Sequence, residues 1–168
     1  MKIVIEAASA RFPLTVDPLF STPPAPDTIL ESNQAGAQLG ISVAGAGDVN
    51  GDGYADVIAG ALYYDNGQSN EGAAFVYHGS ASGLSATPAA ILEPNQANAR
   101  LGWSVAGAGD INGDGYADVI VGAIFYDNGE DDEGGVFVYY GSASGLSTTP
   151  AVILEPNQAG AQLGISVA

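Results

Sequence analysis

The chain of 168 residues carries 19 acidic and three basic residues, which gives a net charge of −16 at pH 7. This excess of negative charge disfavours nucleic acid and anionic membrane surfaces as partners, because both repel an acidic protein. No cysteine is present, so a disulfide framework is excluded, and no apolar run approaches the roughly 20 residues of a transmembrane helix, so no membrane insertion is expected.

The first 28 residues differ from the rest of the chain and form a non-repeat segment, 1–28. Two runs within it, 3–7 and 12–16, have the apolar character of short strands. The start of the segment is a poor signal peptide, because Glu6 interrupts its apolar stretch after three residues.

A 62-residue repeat begins at residue 29. Residues 29–90 and 91–152 align without a gap and are identical at 46 of 62 positions, and a third copy runs for 16 residues from Ile153 to Ala168. A repeat of this length indicates stacked supersecondary units. The near-identity of the copies disfavours catalysis, because an active site usually requires one copy to be chemically distinct. We therefore expect that the protein is not an enzyme.

Each full repeat predicts four short strands. In the first repeat, alternation of large and small residues predicts a strand at 39–44, in which Leu39, Ile41 and Val43 share one face. Further apolar runs separated by turn residues predict strands at 57–61, 73–77 and 88–93, and the second repeat predicts strands at 101–106, 119–123, 136–140 and 150–155. Four antiparallel strands are the content of one β-propeller blade, so the sequence predicts an all-β fold of stacked blades.

The string D-x-N-G-D-G-Y-A-D occurs between the first and second strand of each repeat, at residues 48–56 and 110–118. Its side chains offer oxygen atoms at positions 1, 3, 5 and 9, position 7 offers a backbone carbonyl, and glycine at position 6 allows a sharp turn. Calcium takes six to eight oxygen ligands, so two calcium sites are predicted, one per full repeat. The predicted ligands are Asp48, Asn50, Asp52, Tyr54 (through its carbonyl) and Asp56, and in the second loop Asp110, Asn112, Asp114, Tyr116 (through its carbonyl) and Asp118.

Two other interpretations of this string are weaker. EF-hand and dockerin loops end in an acidic residue at position 12 and lead into a helix, whereas position 12 is Ala59 or Val121 here and a predicted strand follows. Polar turns without a metal would crowd three carboxylates into nine residues, where they repel one another.

These features resemble the FG-GAP repeat family, which forms the blades of integrin α-subunit propellers and of many bacterial surface proteins. The acidic loop matches the D-x-D/N-x-D-G-x-x-D loop of the family in full. The resemblance covers residues 29–168 and implies that the loops hold the blades rigid, while other surfaces of the propeller bind ligands. The family's Phe-Gly pair corresponds to Leu39-Gly40, Leu101-Gly102 and Leu163-Gly164, and its Gly-Ala-Pro triplet to Gly60-Ala61-Leu62 and Gly122-Ala123-Ile124.

The resemblance also implies a division of the chain. Residues 29–34 become the last strand of a preceding blade, 35–96 become blade 1, 97–158 become blade 2, and 159–168 become the first strand of a truncated third blade. Propellers close with about four to eight blades, so two blades leave apolar faces and open strand edges. We therefore expect either the remainder of a longer repeat chain or self-association, in which the strand-like runs of residues 1–28 help to complete a neighbour's blade.

Other conspicuous residues suggest structural roles. His78 is the only histidine, and a strand-end residue with a solvated tip is expected because its repeat partner is a tyrosine. Trp103 is expected to pack in the core or between blades, with stacking on a ligand as the alternative. The acidic run 130–133 predicts a solvated turn, with an additional weak cation site as the alternative, and nothing distinguishes Arg100 from an ordinary surface residue.

Three function classes are compatible with this sequence. The favoured one is a calcium-stabilised, non-catalytic β-propeller module for adhesion or for binding a protein or glycan. We expect it to be secreted or at the cell surface, because calcium outside cells is concentrated enough to load loops that bind it weakly. The first alternative is a structural surface or filament protein that assembles through repeated blades and end-strand complementation. The second is a non-catalytic propeller part of a larger hydrolase or lyase.

Overall fold

The computed structural model describes residues 28–168 and, ahead of them, two strands of two residues each. These are β1 (Val4–Ile5) and β2 (Leu14–Thr15), which pair in an antiparallel manner with Val4 opposite Thr15. They fall within the strand-like runs at 3–7 and 12–16, and the rest of both runs lies outside the described residues.

Each full repeat forms one four-stranded antiparallel sheet, in which every strand pairs with the next along the chain. Blade 1 contains β3 (Leu39–Gly47), β4 (Asp56–Ala61), β5 (Ala73–Tyr77) and β6 (Ala90–Leu92). Blade 2 contains β7 (Leu101–Gly109), β8 (Asp118–Ala123), β9 (Gly135–Tyr139) and β10 (Val152–Leu154). The predicted all-β fold with four strands per blade is confirmed. Between residues 28 and 168 there is no helix, and hence none that could span a membrane.

The segments on either side of the two blades, 28–38 and 155–168, contain no strand. Residues 29–34 are predicted as a last strand, yet they pair with no strand of the described part of the chain, whereas the equivalent Ile91 and Leu92 pair with β5. Leu163, in the predicted first strand of a third blade, forms an isolated parallel bridge with Gly134. The domain boundaries at both ends therefore stay predictions.

The first strand is more irregular than its alternating pattern predicts. The register between β3 and β4 shifts between Leu39 and Val43, where five residues of β3 face three of β4. Gly40 lies in this bulge with a φ of 91°, a backbone conformation that favours glycine. Leu39 and Val43 pair with Ala61 and Ala59, which are two residues apart on β4, so both lie on one side of the sheet, whereas Ile41 lies inside the bulge without a partner in β4. Ile41 and Val43 are 53% and 62% exposed.

The larger hydrophobic cluster lies between the two sheets. Ile58 and Val76 of blade 1 belong to it together with Val121 and Phe137 of blade 2. A second cluster, around Phe75, lies on the opposite face of blade 1. The two blades are therefore stacked face to face and share one core, which is the arrangement that brings their acidic loops together.

A glycine in the second strand of each blade permits this close stacking. A Cβ atom at Gly60 would lie 2.0 Å from the carbonyl oxygen of Gly102 in the next blade. A Cβ atom at Gly122 would lie 2.1 Å from the carbonyl oxygen of Gly164. Both distances are far below van der Waals contact, so the chain approaches its neighbour backbone to backbone at these positions.

Candidate cation-binding loops

The acidic loops connect the first strand of each blade with the second. Loop 1 (residues 48–55) lies between β3 and β4, and loop 2 (residues 110–117) lies between β7 and β8. The ninth residue of each motif, Asp56 or Asp118, is the first residue of the strand that follows. The predicted ligands therefore occupy equivalent places in the two blades.

The carboxylate at position 1 of each loop accepts hydrogen bonds from backbone N–H groups further along the same loop. Asp48 Oδ1 accepts the N–H groups of Gly51 (2.7 Å) and Asp52 (3.1 Å), and Oδ2 accepts the N–H of Gly53 (2.8 Å). Gly51 and Gly53 have φ values of 73° and 89°, which glycine adopts without strain. The carboxylate of Asp110 makes the same three contacts in loop 2, with Gly113, Asp114 and Gly115.

The side chains at positions 3 and 5 lie beside this carboxylate. Asn50 Oδ1 accepts the Asp52 N–H at 3.0 Å, the same N–H that Asp48 Oδ1 accepts, so these two oxygen atoms are neighbours. Asp52 accepts the N–H of Tyr54 and the side-chain amide of Asn50, both at 2.9 Å. These two hydrogen bonds, foremost the one from Tyr54, hold the pKa of Asp52 below its ordinary value of 3.8. Loop 2 repeats the contacts through Asn112, Asp114 and Tyr116.

The carboxylate at position 9 points into the protein. Asp56 is 1% exposed, and its two oxygen atoms accept the N–H groups of Val49 and Gly79, each at 2.9 Å. Asp118 makes the equivalent contacts with Ile111 (2.8 Å) and Gly141 (2.9 Å). This side chain therefore ties the loop to the end of the third strand, and its role as a cation ligand stays a prediction.

The donors that do meet in each loop suit a hard cation. Within residues 28–168 no three carboxylate or imidazole groups lie together as a metal cluster, because the inward turn of position 9 leaves two carboxylates and one amide oxygen at the loop surface. All of these donors are oxygen atoms, and carbonyl groups and water complete the coordination of calcium in such loops. The residues present therefore fit a partly hydrated calcium ion.

Loop 2 lies directly against loop 1. The Ala117 N–H donates a 3.0 Å hydrogen bond to the carbonyl oxygen of Asp48. The Tyr116 ring covers Gly51, where a Cβ atom would lie 2.6 Å from Cε1 of the ring. Tyr116 is half-buried by this contact, whereas the equivalent Tyr54 is exposed. Sequence reasoning missed the contact because it depends on how two blades stack, and the only signal was that both copies carry the loop.

His78 lies next to loop 1, and its predicted solvated tip is wrong. Its Nδ1 is 3.3 Å from the side-chain nitrogen of Asn50. Its Nε2 is buried without a hydrogen-bond partner in the described part of the chain. Gly145 of blade 2 packs against the imidazole ring, since a Cβ atom there would lie 3.4 Å from Cε1. The stacking of blade 2 therefore covers the end of β5, where a solvated residue was expected.

Arg100 joins the two blades through aromatic rings. Its guanidinium carbon lies 5.2 Å from the ring centroid of Tyr63 in blade 1 and 4.7 Å from that of Phe125 in blade 2. This is the geometry of a cation–π contact with each ring. The sequence offered one signal, the replacement of Gln38 by arginine in the second repeat, without indicating that aromatic rings surround it.

The acidic run 130–133 is only partly the solvated turn that was expected. Its first three residues are exposed, but Glu133 is fully buried and its Oε1 accepts the Asn128 N–H at 2.8 Å. Glu71 is buried in the same way in blade 1 and accepts the Asn66 N–H at 2.7 Å. The prediction of a solvated turn is wrong for Glu133, because its buried carboxylate accepts a backbone N–H group of the turn.

Comparisons with known proteins agree on one family. Residues 48–121 match a family model described as FG-GAP-like repeat. The chain is 34% identical over 135 residues to integrin alpha-7 of Rattus norvegicus, 39% over 131 residues to integrin alpha-6 of Homo sapiens, and 34% over 133 residues to integrin alpha-3 of Cricetulus griseus. These alignments cover 80%, 77% and 79% of this chain but 11%, 11% and 12% of the respective integrin chains. The chain thus spans only a small part of the length of these curated relatives.

Proposed function

Since the chain belongs to the FG-GAP repeat family, we propose that it is a non-catalytic β-propeller module stabilised by calcium. The observation that carries this proposal is the recurrence of one oxygen-rich loop at the same strand connection of two stacked blades. Adhesion, or the binding of a protein or glycan, is the proposed activity, and a secreted or cell-surface location goes with it.

Two calcium sites are proposed, one per loop. In loop 1, Asp48, Asn50 and Asp52 present oxygen atoms at the surface, Tyr54 offers its carbonyl, and Asp56 anchors the loop from below. Bound calcium neutralises these carboxylates and adds its binding free energy to the folded state. Loop 2 has the same set of donors, so the same proposal applies to it.

The absence of catalysis is proposed on family membership and on the similarity of the loops. Both loops hold the same donor types in the same hydrogen-bonding pattern, so neither has the chemical asymmetry that an active site requires. The relatives named integrin alpha support adhesion as the function class. A ligand would then bind to a propeller surface other than these loops.

Assembly through repeated blades is a second candidate, and the geometry of Gly40 favours it. Gly40 and Gly102 have similar φ values, 91° and 87°. A Cβ atom at Gly102 would lie 2.3 Å from the carbonyl oxygen of Ala73, whereas a Cβ atom at Gly40 meets no atom of the described residues within 4 Å. Blade 1 therefore exposes, at Gly40, the same kind of surface that blade 2 packs against blade 1 at Gly102. Another blade, from a longer chain or from a second copy, fits this surface.

Thermal unfolding of the full chain with calcium chloride and with a chelator tests the calcium proposal. We expect a higher melting temperature in calcium, because the ion binds only the folded loops. The double variant Asp52→Ala plus Asp114→Ala is expected to lose this difference. A wild-type melt that the chelator leaves unchanged contradicts the proposal. Light scattering then tests the second candidate, which requires a mass above that of one chain.

A further inference from the structure

Two peptide groups in series connect the proposed Tyr116 ligand of loop 2 with the Asp56 carboxylate that anchors loop 1. The Tyr116 carbonyl, proposed as a ligand in loop 2, belongs to the same peptide group as the Ala117 N–H, which donates to the Asp48 carbonyl at 3.0 Å. The Asp48 carbonyl belongs to the same peptide group as the Val49 N–H, which donates to Asp56 Oδ2 at 2.9 Å. The chain of contacts therefore begins at a proposed ligand of loop 2, passes through the backbone of Asp48 in loop 1, and ends at the buried carboxylate that anchors loop 1.

This connection is shielded from water at the end that belongs to loop 1. Val49 and Asp56 are buried, and the Val49 carbonyl accepts the Ser142 N–H of blade 2 at 3.1 Å. Hydrogen bonds in such a setting are strong and strengthen one another along a chain. The Tyr116 ring on Gly51 supplies a second contact between the loops.

We propose that the two loops bind calcium cooperatively, so that loading of either loop raises the affinity of the other by the same factor. The proposal rests on the proposed function, because it requires both loops to bind calcium. Coordination through the Tyr116 carbonyl would fix the peptide group that holds the Asp48 carbonyl, and this would in turn fix the Val49 N–H on the Asp56 carboxylate. The second loop would then lose less conformational freedom when it binds its own ion, and its affinity would be higher.

Charge opposes this effect. Each motif has three carboxylates, so a loop loaded with one divalent ion changes from −3 to −1 and attracts the second cation less than the empty loop does. Because the two loops are in direct contact through the Ala117–Asp48 hydrogen bond, salt screens this loss of attraction only in part. We expect the ordering of the shared contacts to outweigh this loss of attraction, with a coupling factor of about five, at the low end of the usual range.

Calorimetric titration of the full chain with calcium chloride measures this factor. Asp52→Asn leaves only loop 2 competent and Asp114→Asn leaves only loop 1. The product of the two wild-type association constants, divided by the product of the two single-loop constants, is the coupling factor. A value of one or less overturns the proposal while leaving the calcium sites in place. Failure of every variant and of the wild type to bind calcium overturns the proposed function as well.

Two equivalent glycines give a matched pair of variants. Gly51 and Gly113 have φ values of 73° and 75°, so alanine strains both loops equally. Only Gly51→Ala meets the Tyr116 ring, because no atom of the described residues lies within 4 Å of a Cβ at Gly113. We expect Gly51→Ala to lower the coupling factor towards one and Gly113→Ala to leave it unchanged. Equal effects exclude the Tyr116 contact from the coupling.

An NMR measurement tests the coupling between the loops without the two glycine variants. In Asp114→Asn, where only loop 1 can be loaded, calcium is expected to shift the amide resonance of Ala117 in loop 2. A stationary Ala117 resonance, with loop 1 shown by its own resonances to be loaded, overturns the proposal.

Discussion

The Ser42 hydroxyl donates a 2.8 Å hydrogen bond to the carbonyl oxygen of Gly102, and so fastens the first strand of blade 1 to the first strand of blade 2. The same carbonyl oxygen approaches Gly60 so closely that no side chain fits there. The interface between the blades is therefore partly a contact between backbones, which makes it sensitive to a single added methyl group.

We expect Gly60→Ala to lower the free energy of unfolding by about 3 kcal/mol, because the new Cβ collides with a backbone oxygen and forces the blades apart. Gly45→Ala in β3 is the matched control, since Gly45 has no positive φ and no atom of the described part lies within 4 Å of its Cβ position. Urea unfolding, followed by the fluorescence of Trp103, measures both variants. Equal losses for the two would contradict the prediction.

The carboxylates of one loop are expected to differ in what they stabilise. Asp56→Ala should lower the free energy of unfolding by about 3 kcal/mol even in chelator, because the buried Val49 N–H and the partly buried Gly79 N–H lose their acceptor. Asp52→Ala should leave the stability in chelator nearly unchanged and reduce the rise in melting temperature with calcium to the part that loop 2 supplies. Thermal melts with and without calcium distinguish the two variants, and the same response from both would refute the distinction.

Glu93 is expected to make stability depend on pH. It accepts the side-chain amide of Asn66 at 2.7 Å and faces Glu71 in blade 1 and Tyr139 in blade 2. Burial, opposed by the Asn66 hydrogen bond and assisted by the charge of Glu71, raises the pKa of Glu93 above its ordinary 4.5. The folded state therefore binds this proton more tightly, so the stability it contributes is present below pH 4.5 and lost as the pH rises through the raised pKa.

Glu93→Gln imitates the protonated side chain and should melt at a higher temperature than the wild type at pH 7. This difference should vanish below pH 4.5, the ordinary pKa. Melting curves in chelator over a pH series test the prediction. Glu31→Gln, which removes an exposed carboxylate at the equivalent repeat position, serves as the control. A difference that grows on acidification would have the wrong sign.

Replacement of Arg100 by glutamine is expected to cost about 1 kcal/mol of unfolding free energy, because the cation–π contacts with Tyr63 and Phe125 are lost. The backbone tolerates the change, since Arg100 has a φ of 57° and the glutamines at the equivalent positions 38 and 162 have 57° and 54°. Arg100→Lys keeps the charge without the planar group and should lose part of this stability. Urea unfolding that does not distinguish Arg100→Gln from the wild type would refute the role.

The strand content was predictable because each strand is a short apolar run between turn residues, and every run occurs twice. The third strand of blade 1, Ala73–Tyr77, has the bounds that its apolar run predicts. The bulge in the first strand was not predicted, because alternation of side chains alone does not specify the register between strands. Gly40 was its only local signal.

The site divides in a similar way. Asp48, Asn50 and Asp52 lie side by side because their contacts are with N–H groups a few residues away, and their role as calcium ligands stays a prediction. The inward turn of Asp56 depends on Gly79 at the end of β5, and the half-burial of Tyr116 depends on the next blade. Such partners are distant in sequence, so the motif alone could not reveal them.

The serine-to-carbonyl hydrogen bond that joins neighbouring copies of the repeat occurs at two equivalent places in the described part of the chain. Ser104 donates to the Gly164 carbonyl at 2.7 Å, as Ser42 does to Gly102, and both pairs are 60 positions apart. Because each copy of the repeat carries both partners of the junction, gain or loss of a whole 62-residue unit leaves every remaining junction intact. Recombination between copies can therefore change the length of such an array during evolution, without any new interface having to arise.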